Sequence, residues 1–169
     1  MSTQPLNTNS SIVYLLLGTN LGKRKYQLDK AKGFIKNLIG KIQSESSLYE
    51  TQPWGNPDQS SFLNQAIAVK TQLTPDQMLQ EIHNIEKQMD RVRKEKNEPR
   101  IIDIDILLWG KNIIKGMDLE IPHPRLHLRN FVLVPLMEIA GNEIHPIFKK
   151  SIEELYEECE DPLEVYTIN

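Results

Sequence analysis

The sequence predicts an α+β fold with a mainly antiparallel sheet, and two features of its 169 residues lead to this prediction. Apolar runs of strand type alternate with stretches in which apolar residues recur at helical spacing. These segments follow the order strand, helix, strand, strand, helix, strand, and shorter elements come after them. This is a split βαβ order. We therefore expect a ferredoxin-like plan, with helices packed on one face of the sheet and mobile loops between elements.

The first strand and helix are predicted from residues 12–39. Residues 12–17 form a short apolar run of buried-strand type, which Gly18 ends. A turn at residues 18–22 then leads into a helix that runs to about residue 39. One stripe of this helix is apolar and predicts its buried face, formed by Leu28, Ala31, Ile35 and Leu38.

Two further strands and a second helix follow. Residues 42–51 predict the second strand and residues 62–71 the third. The helix after them has a clear start at Thr74-Pro75-Asp76-Gln77, where Thr74 is the N-cap, proline takes the first helical position and Gln77 completes a capping box. Its core stripe contains Met78, Ile82, Ile85 and Met89.

The last strong strand, residues 99–109, is followed by weaker elements. Short strands are predicted at residues 113–114 and 119–121, and an apolar helix reaches residue 140. Residues 151–160 predict a short acidic helix at the periphery of the fold.

Composition limits the class of protein. The chain is 39% hydrophobic and 25% charged, with a net charge of −3 and a pI near 5.8, which argues against a general nucleic-acid binder. Cys159 is the single cysteine and fits a reducing compartment. No apolar run reaches membrane-spanning length. We expect a disordered leader at 1–10, a single domain at 11–169, a monomer and a cytoplasmic location.

Asp103 and Asp105 suggest a metal site. Side chains alternate along a strand, so these carboxylates project from the same face, while Ile102, Ile104, Ile106 and Leu108 cover the other. Two neighbouring carboxylates repel each other unless a cation lies between them. A hard divalent ion with oxygen ligands, typically magnesium, is the natural candidate. The alternative is that Asp103 and Asp105 have only a structural role and that Arg100 or Lys111 pairs with them.

The segment 91–100 carries five cations and lies directly before this strand. It is too charged to be buried, and its guanidinium groups suit bidentate contacts with phosphate. We expect a mobile loop that orders with a polyphosphate.

Several other polar and aromatic residues are candidates for ligand contacts. Phe62 and Asn64 share one face of their strand, and an aromatic beside an amide suits a flat heteroaromatic ligand. Trp54 lies in a turn-rich loop, where it either packs locally and anchors the loop or lines a ligand site. His83 and Glu86 lie three residues apart on one helix stripe. A zinc site at His123 and His127 is rejected because the prolines at 122 and 124 argue against a helix there.

With these pieces assembled, the chain resembles the 6-hydroxymethyl-7,8-dihydropterin pyrophosphokinase family over nearly its whole length. The core of the resemblance is Pro-Arg-x-x-Asp-x-Asp, from Pro99 to Asp105. Other segments match in the same order and spacing: Gly18-Thr19-Asn20-Leu21-Gly22, Tyr49-Glu50-Thr51, Phe62-Leu63-Asn64, Arg91-Val92-Arg93, Pro122-His123-Pro124-Arg125 and Arg129-Asn130-Phe131.

The resemblance implies an enzyme of folate biosynthesis that transfers pyrophosphate from ATP to the pterin hydroxymethyl group and releases AMP. It also implies roles for individual residues. Asp103 and Asp105 would hold two magnesium ions. The catalytic set would be completed by Arg91, Arg93 and Arg100. ATP would contact these arginines together with His83, Glu86, Ile106, His123 and Arg129. The pterin would contact Thr51, Gln52, Trp54, Phe62, Asn64 and Phe131.

The chain departs from the family pattern at two places. Asn97-Glu98 stands where the family usually has an aromatic-glycine pair, and Phe62 stands where tyrosine is common. Two alternative functions remain at this point. One is a magnesium-dependent nucleotidyltransferase, which would release pyrophosphate. The other is a ferredoxin-like RNA-binding module, which would need stacking aromatics and a basic surface.

Overall fold

A computed structural model describes residues 9–51, 60–89 and 101–168. The predictions for the leader at 1–8, for Gln52 and Trp54, and for the arginine-rich segment 91–100 with its mobility fall outside these described residues. Within them the strands are β1 Ser11–Thr19, β2 Gly40–Glu45, β3 Leu48–Thr51, β4 Phe62–Thr71, β5 Asp103–Trp109, β6 Ile114–Lys115, β7 Glu120–Ile121 and β8 Val165–Ile168. The helices are α1 Arg24–Leu38, α2 Pro75–Gln88, α3 Asn130–Ala140 and α4 Ile152–Glu158, with a 3₁₀ turn at Leu126–Leu128.

The main sheet confirms the predicted antiparallel plan. Its strand order in the described part of the chain is β5-β1-β4-β3-β8, and β2 also pairs with β4. Every pairing in this sheet is antiparallel. If β2 and β3 are counted as one interrupted strand, the core order is fourth, first, third, second, which is ferredoxin-like. The hairpin of β6 and β7 lies apart from this sheet.

Helices cover both faces of the sheet, so the expectation of helices on one face was wrong. The first core joins α1 and α2 to alternate residues of the strands, such as Leu15, Ile67 and Ile104. The second core joins α3 and α4 to the opposite face, through residues such as Leu16 and Leu107. The first two helices obey the split βαβ rule, whereas the later ones use apolar surface that the sheet still exposes on its other side.

The tail packs more firmly than its acidic sequence suggested. Ile152 and Leu155 of α4 are buried in the second core, so this helix is not merely peripheral. Beyond it, the strand β8 was not predicted, and it extends the sheet by pairing with β3. By contrast, the predicted start of α2 is confirmed, because Thr74 and Gln77 form both hydrogen bonds of the capping box.

Two local irregularities correct the predicted strands. The register between β1 and β5 shifts so that Tyr14 pairs with Leu108 but Leu15 pairs with Ile106. Leu107 is therefore the extra residue of a bulge, and Leu108 lies in the second core beside it instead of sharing a face with the isoleucines. The predicted strand 12–17 is also longer, because β1 continues through Gly18 to Thr19.

The predicted strand 42–51 is broken into β2 and β3. Ser46 lies at the break and uses its backbone N–H and its hydroxyl to bond the backbone of Ala66. Glu138 of α3 stabilises the start of β3 by accepting hydrogen bonds from the N–H of Ser47 (2.9 Å), the hydroxyl of Ser47 (2.7 Å) and the hydroxyl of Tyr49 (2.7 Å). Burial raises the pKa of Glu138, but the hydrogen bonds outweigh it and hold the pKa below its ordinary 4.5.

Substitution of Glu138 by alanine should lower the free energy of unfolding by about 1–2 kcal/mol at neutral pH, because three hydrogen bonds to a half-exposed carboxylate are lost. The folded pKa lies below the unfolded value. The stabilisation is therefore present above pH 4.5 and is lost as the pH falls through the folded pKa. Denaturant unfolding measured across this range should show the two proteins converging in acid. Glu157→Ala on α4, an exposed position, is the control, and equal losses in both variants would contradict the assignment.

Candidate active site

The site begins with the carboxylate pair on β5. Asp103 and Asp105 are half-buried and alternate with Ile104 and Ile106, which are buried in the first core. The two carboxylates therefore share the opposite face of the sheet, as the alternation predicted. In the described part of the chain β5 is the last strand at one end of the main sheet, so the pair lies at that edge.

Basic side chains from the segment after β7 lie within electrostatic reach of this pair. The segment is tied to β5 by a hydrogen bond from the N–H of His123 to the carbonyl of Leu107 (3.0 Å). Burial, Arg129 and Arg125 lower the pKa of His123 to about 4, and Asp103 opposes them. Burial and Arg125 also lower the pKa of Arg129, against Asp105, Asp161 and Asp103. Electrostatic effects of this kind arise only between groups that are close together. His123, Arg125 and Arg129 therefore form one cluster with Asp103 and Asp105.

His123 is held as a neutral hydrogen-bond donor. Its Nδ1 accepts the backbone N–H of Arg125 (3.1 Å), which leaves the proton of the neutral ring on Nε2. His127 turns elsewhere and packs edge-on against Phe148, with ring centroids 4.5 Å apart. In the described ranges as a whole, no group of three or more His, Cys, Asp or Glu side chains is arranged to hold a metal ion.

Two adjoining cavities open at the carboxylates. One, of about 420 Å³, lies between α2 and β5 and is lined by Leu79, Ile82, His83, Glu86, Lys87, Asp103, Ile104 and Asp105. The other, of about 310 Å³, extends towards the β6–β7 hairpin and includes Asp105, Ile106, His123 and residues 116–120. The predicted nucleotide contacts His83, Glu86, Ile106 and His123 therefore lie along one continuous depression. Leu79 and Lys87 line it too, although nothing in their helical pattern singled them out.

A row across the sheet connects the carboxylates to the predicted pterin contacts. Gly18 of β1 pairs with Asn64 on one side and with Asp103 on the other. Two strand spacings therefore separate Asn64 from Asp103, about 10 Å. The amide of Asn64 is buried and donates from Nδ2 to the hydroxyl of Thr51 (3.2 Å).

Gly18 makes this row possible. A Cβ atom at this position would lie 2.6 Å from Oδ1 of Asn64. Sequence reasoning treated Gly18 only as the end of a strand and missed this role. The available signal was a glycine inside an otherwise apolar strand, which often marks a close approach of another group.

The two predicted aromatic walls lie on the same side of the sheet. Phe62 pairs with Thr51 and occupies the face of β4 that also carries Asn64, because Leu63 between them is in the first core. Phe131 lies in the first turn of α3 and packs against the second core. The guanidinium carbon of Arg129 sits 5.5 Å from the centre of the Phe131 ring. One short segment thus holds a cation beside an aromatic ring.

Substitution of Gly18 by alanine should leave the fold intact, because the atom that must give way is the end of the Asn64 side chain. Displacement of the Asn64 amide should weaken binding of the expected pterin about fivefold to tenfold. This range corresponds to the loss of about one hydrogen bond. Isothermal calorimetry with the pterin, and with ATP as the second ligand, measures the effect.

The matched control is Gly33→Ala on α1, where a Cβ would meet no atom within 4 Å. This variant should bind the pterin normally and should be slightly more stable. Unchanged pterin affinity in Gly18→Ala would contradict the proposed placement of Asn64.

No helix among the described residues has the length and apolar character needed to cross a membrane.

Comparison with known proteins agrees with this geometry. The family model for 7,8-dihydro-6-hydroxymethylpterin-pyrophosphokinase matches residues 14–141. The 2-amino-4-hydroxy-6-hydroxymethyldihydropteridine pyrophosphokinase of Aquifex aeolicus is 41% identical over 142 residues, which cover 84% of this chain and 88% of that protein. The enzyme of the same name from Bacillus subtilis is 40% identical over 132 residues, covering 78% and 79%.

Longer relatives and solved structures match as well. The folic acid synthesis protein fol1 of Pneumocystis carinii is 42% identical over 155 residues, and the match covers 90% of this chain but 21% of that protein. The wild-type HPPK-DHPS of Plasmodium falciparum superposes with a TM-score of 0.74 at 20% identity, covering 90% of this chain and 46% of that chain, and this likeness confirms the predicted ferredoxin-like fold. The extent of the family match and the identity to relatives of similar length show that the chain belongs to the 7,8-dihydro-6-hydroxymethylpterin-pyrophosphokinase family of enzymes.

Proposed function

We propose that this protein transfers the pyrophosphate group of ATP to 6-hydroxymethyl-7,8-dihydropterin and releases AMP, as a step of folate biosynthesis. The observation that carries the proposal is the Asn64–Gly18–Asp103 row. In this row the amide of Asn64, which would hydrogen-bond a heterocycle, lies about two strand spacings from the carboxylate pair. A hydroxymethyl group that projects from a pterin at Asn64 would point along this row towards the phosphates of ATP.

The carboxylate pair fits magnesium. Asp103 and Asp105 offer oxygen ligands from one face of a rigid strand, and they open onto two cavities instead of a closed cage. Asp103 and Asp105 would hold the ion through their carboxylate oxygens, the ligand type that magnesium prefers in proteins. Bound to these two carboxylates, magnesium would supply positive charge that offsets the negative charge of the triphosphate. The proposed number of ions is two.

The protein's own residues would bind and align the triphosphate. Arg129 and His123, on the segment after β7, lie within electrostatic reach of the carboxylates, and their N–H groups would donate to phosphate oxygens. Arg91, Arg93 and Arg100 lie outside the described residues, and their part in the proposal rests on the sequence. The hydroxymethyl oxygen would attack the β-phosphorus, the bond from that phosphorus to the α,β-bridging oxygen would break, and AMP would leave in line with the attack.

The remaining ligand contacts follow from the two cavities and the aromatic pair. His83 and Glu86 of α2 and Ile106 of β5 would contact the nucleotide along the depression beside the carboxylates. Phe62 and Phe131 would hold the faces of the pterin, while Thr51 orients the amide of Asn64. The contacts predicted for Gln52 and Trp54 fall outside the described residues and stay predictions.

The RNA-binding alternative is not adopted. Such modules use an open sheet face on which bases stack. Here α1 and α2 cover one face and α3 and α4 cover much of the other, as far as the described residues extend. We extend the proposal to the protein's organisation and expect residues 11–169 to work as one domain, as a monomer, in the cytoplasm.

Substitution of Asp103 or Asp105 by asparagine should reduce kcat/KM at least about a hundredfold, because the charge that holds the metal and the phosphates is lost while side-chain size is kept. The assay supplies ATP, magnesium and the pterin and measures AMP. Asp29→Asn on α1, an exposed position remote from β5, is the control and should behave as wild type.

Circular dichroism of both variants should match that of the wild type. Full turnover of the wild type without a divalent metal would refute the metal role. Release of pyrophosphate instead of AMP would instead favour the nucleotidyltransferase alternative.

A further inference from the structure

The first turn of α3 carries two proposed ligand contacts, and a distant residue holds it in place. Arg129 is the N-cap of this helix and makes no side-chain capping hydrogen bond among the described residues. Arginine carries no acceptor oxygen, so the first N–H of the helix needs a partner from elsewhere. Asp161 of the tail provides it, because its Oδ2 accepts the N–H of Asn130 at 2.9 Å.

Asp161 is itself fixed by a small network. Its second carboxylate oxygen accepts the N–H of Leu163 at 3.0 Å, and its backbone carbonyl accepts from Nδ2 of Asn130 at 3.1 Å. Asn130 is thus bonded twice to Asp161, once through its backbone and once through its side chain. A carboxylate at this end of a helix is also favoured by the positive end of the helix dipole.

Asn130 lies between the two proposed ligand contacts. Arg129 precedes it and Phe131 follows it, with the guanidinium carbon of Arg129 5.5 Å from the ring centre of Phe131. Asp161 also acts electrostatically on Arg129, together with Asp103 and Asp105. Rotation of the backbone at Asn130 would therefore move both the proposed phosphate contact and the proposed pterin wall.

The same tail reaches the other wall of the proposed pterin site. After Asp161 the chain forms β8, and Val165 pairs with Thr51 of β3. Thr51 accepts the hydrogen bond that orients Asn64. Residues 161–165 of the tail thus connect the start of α3 with the strand that carries Thr51.

We propose that Asp161 is a positioning residue for both substrates, which holds the start of α3 so that Arg129 and Phe131 face the carboxylates and the pterin. This inference rests on the proposed function. Its action is indirect, since the contacts of Asp161 are with the backbone and side chain of Asn130 and with Leu163. A substitution at this position changes the geometry of the site without removing a group that touches substrate.

The test is steady-state kinetics of Asp161→Ala and Asp161→Asn, with AMP as the product measured. Asp161→Ala should raise KM for the pterin about tenfold, the range of a lost helix cap, and should raise KM for ATP as well. Asp161→Asn keeps one oxygen that can accept the N–H of Asn130, so its KM values should fall between those of Asp161→Ala and wild type. Glu160→Ala, the exposed neighbour, is the matched control and should keep the wild-type KM values.

A merely structural role makes a different prediction. Loss of folded protein lowers the apparent kcat and the melting temperature but leaves KM unchanged, so assays are run well below the melting temperature with the folded fraction checked by circular dichroism. Wild-type KM values in both Asp161 variants would overturn the inference. Absence of AMP formation by the wild type would overturn the proposed function instead. Amide exchange at Asn130 should be faster in Asp161→Ala than in Glu160→Ala, and equal exchange would also overturn the inference.

Discussion

The repulsion between Asp103 and Asp105 is the constraint on which the rest of this structure depends. Strand alternation forces both carboxylates onto one face of β5, and burial of Ile104 on the other face prevents either from turning away. Two cations, Arg125 and Arg129, and the neutral donor His123 lie near the pair, on a segment that a hydrogen bond ties to β5. The balance of charge is incomplete, because burial and then the neighbouring arginines lower the pKa values of His123 and Arg129. A cluster of this kind is suited to ligands that carry both a cation and a polyanion.

The two faces of the sheet have different roles. The first core, with α1 and α2, is continuous from β1 to β5 and supports the strands. The second core ends where Gly18, Asn64 and Asp103 form their row, so the same face that packs α3 also presents the site. α3 contributes to both, since Leu133 and Leu136 are buried in the core while Arg129 and Phe131 at its start are proposed ligand contacts. Packing of the helix and placement of the ligand contacts are therefore not independent.

Local patterns predicted those parts that depend on neighbouring residues. Alternation placed Asp103 beside Asp105, and the capping box fixed the start of α2. Local sequence patterns could not predict that His123 and Arg129 lie near the carboxylates, because their positions depend on how the segment after β7 folds back over β5. Their roles came only from family resemblance. The bulge at Leu107, the break at Ser46 and the cap from Asp161 likewise depend on partners distant in sequence, and each was missed.

The central claim is that the bond broken lies between the α,β-bridging oxygen and the β-phosphorus of ATP. The most direct measurement follows a radiolabel from ATP into the products, with the label at the α-phosphate in one reaction and at the γ-phosphate in the other. We predict that the γ-label appears on the pterin and the α-label in AMP. Appearance of the α-label on the pterin would contradict the account, because the site would then transfer a nucleotidyl group instead of pyrophosphate.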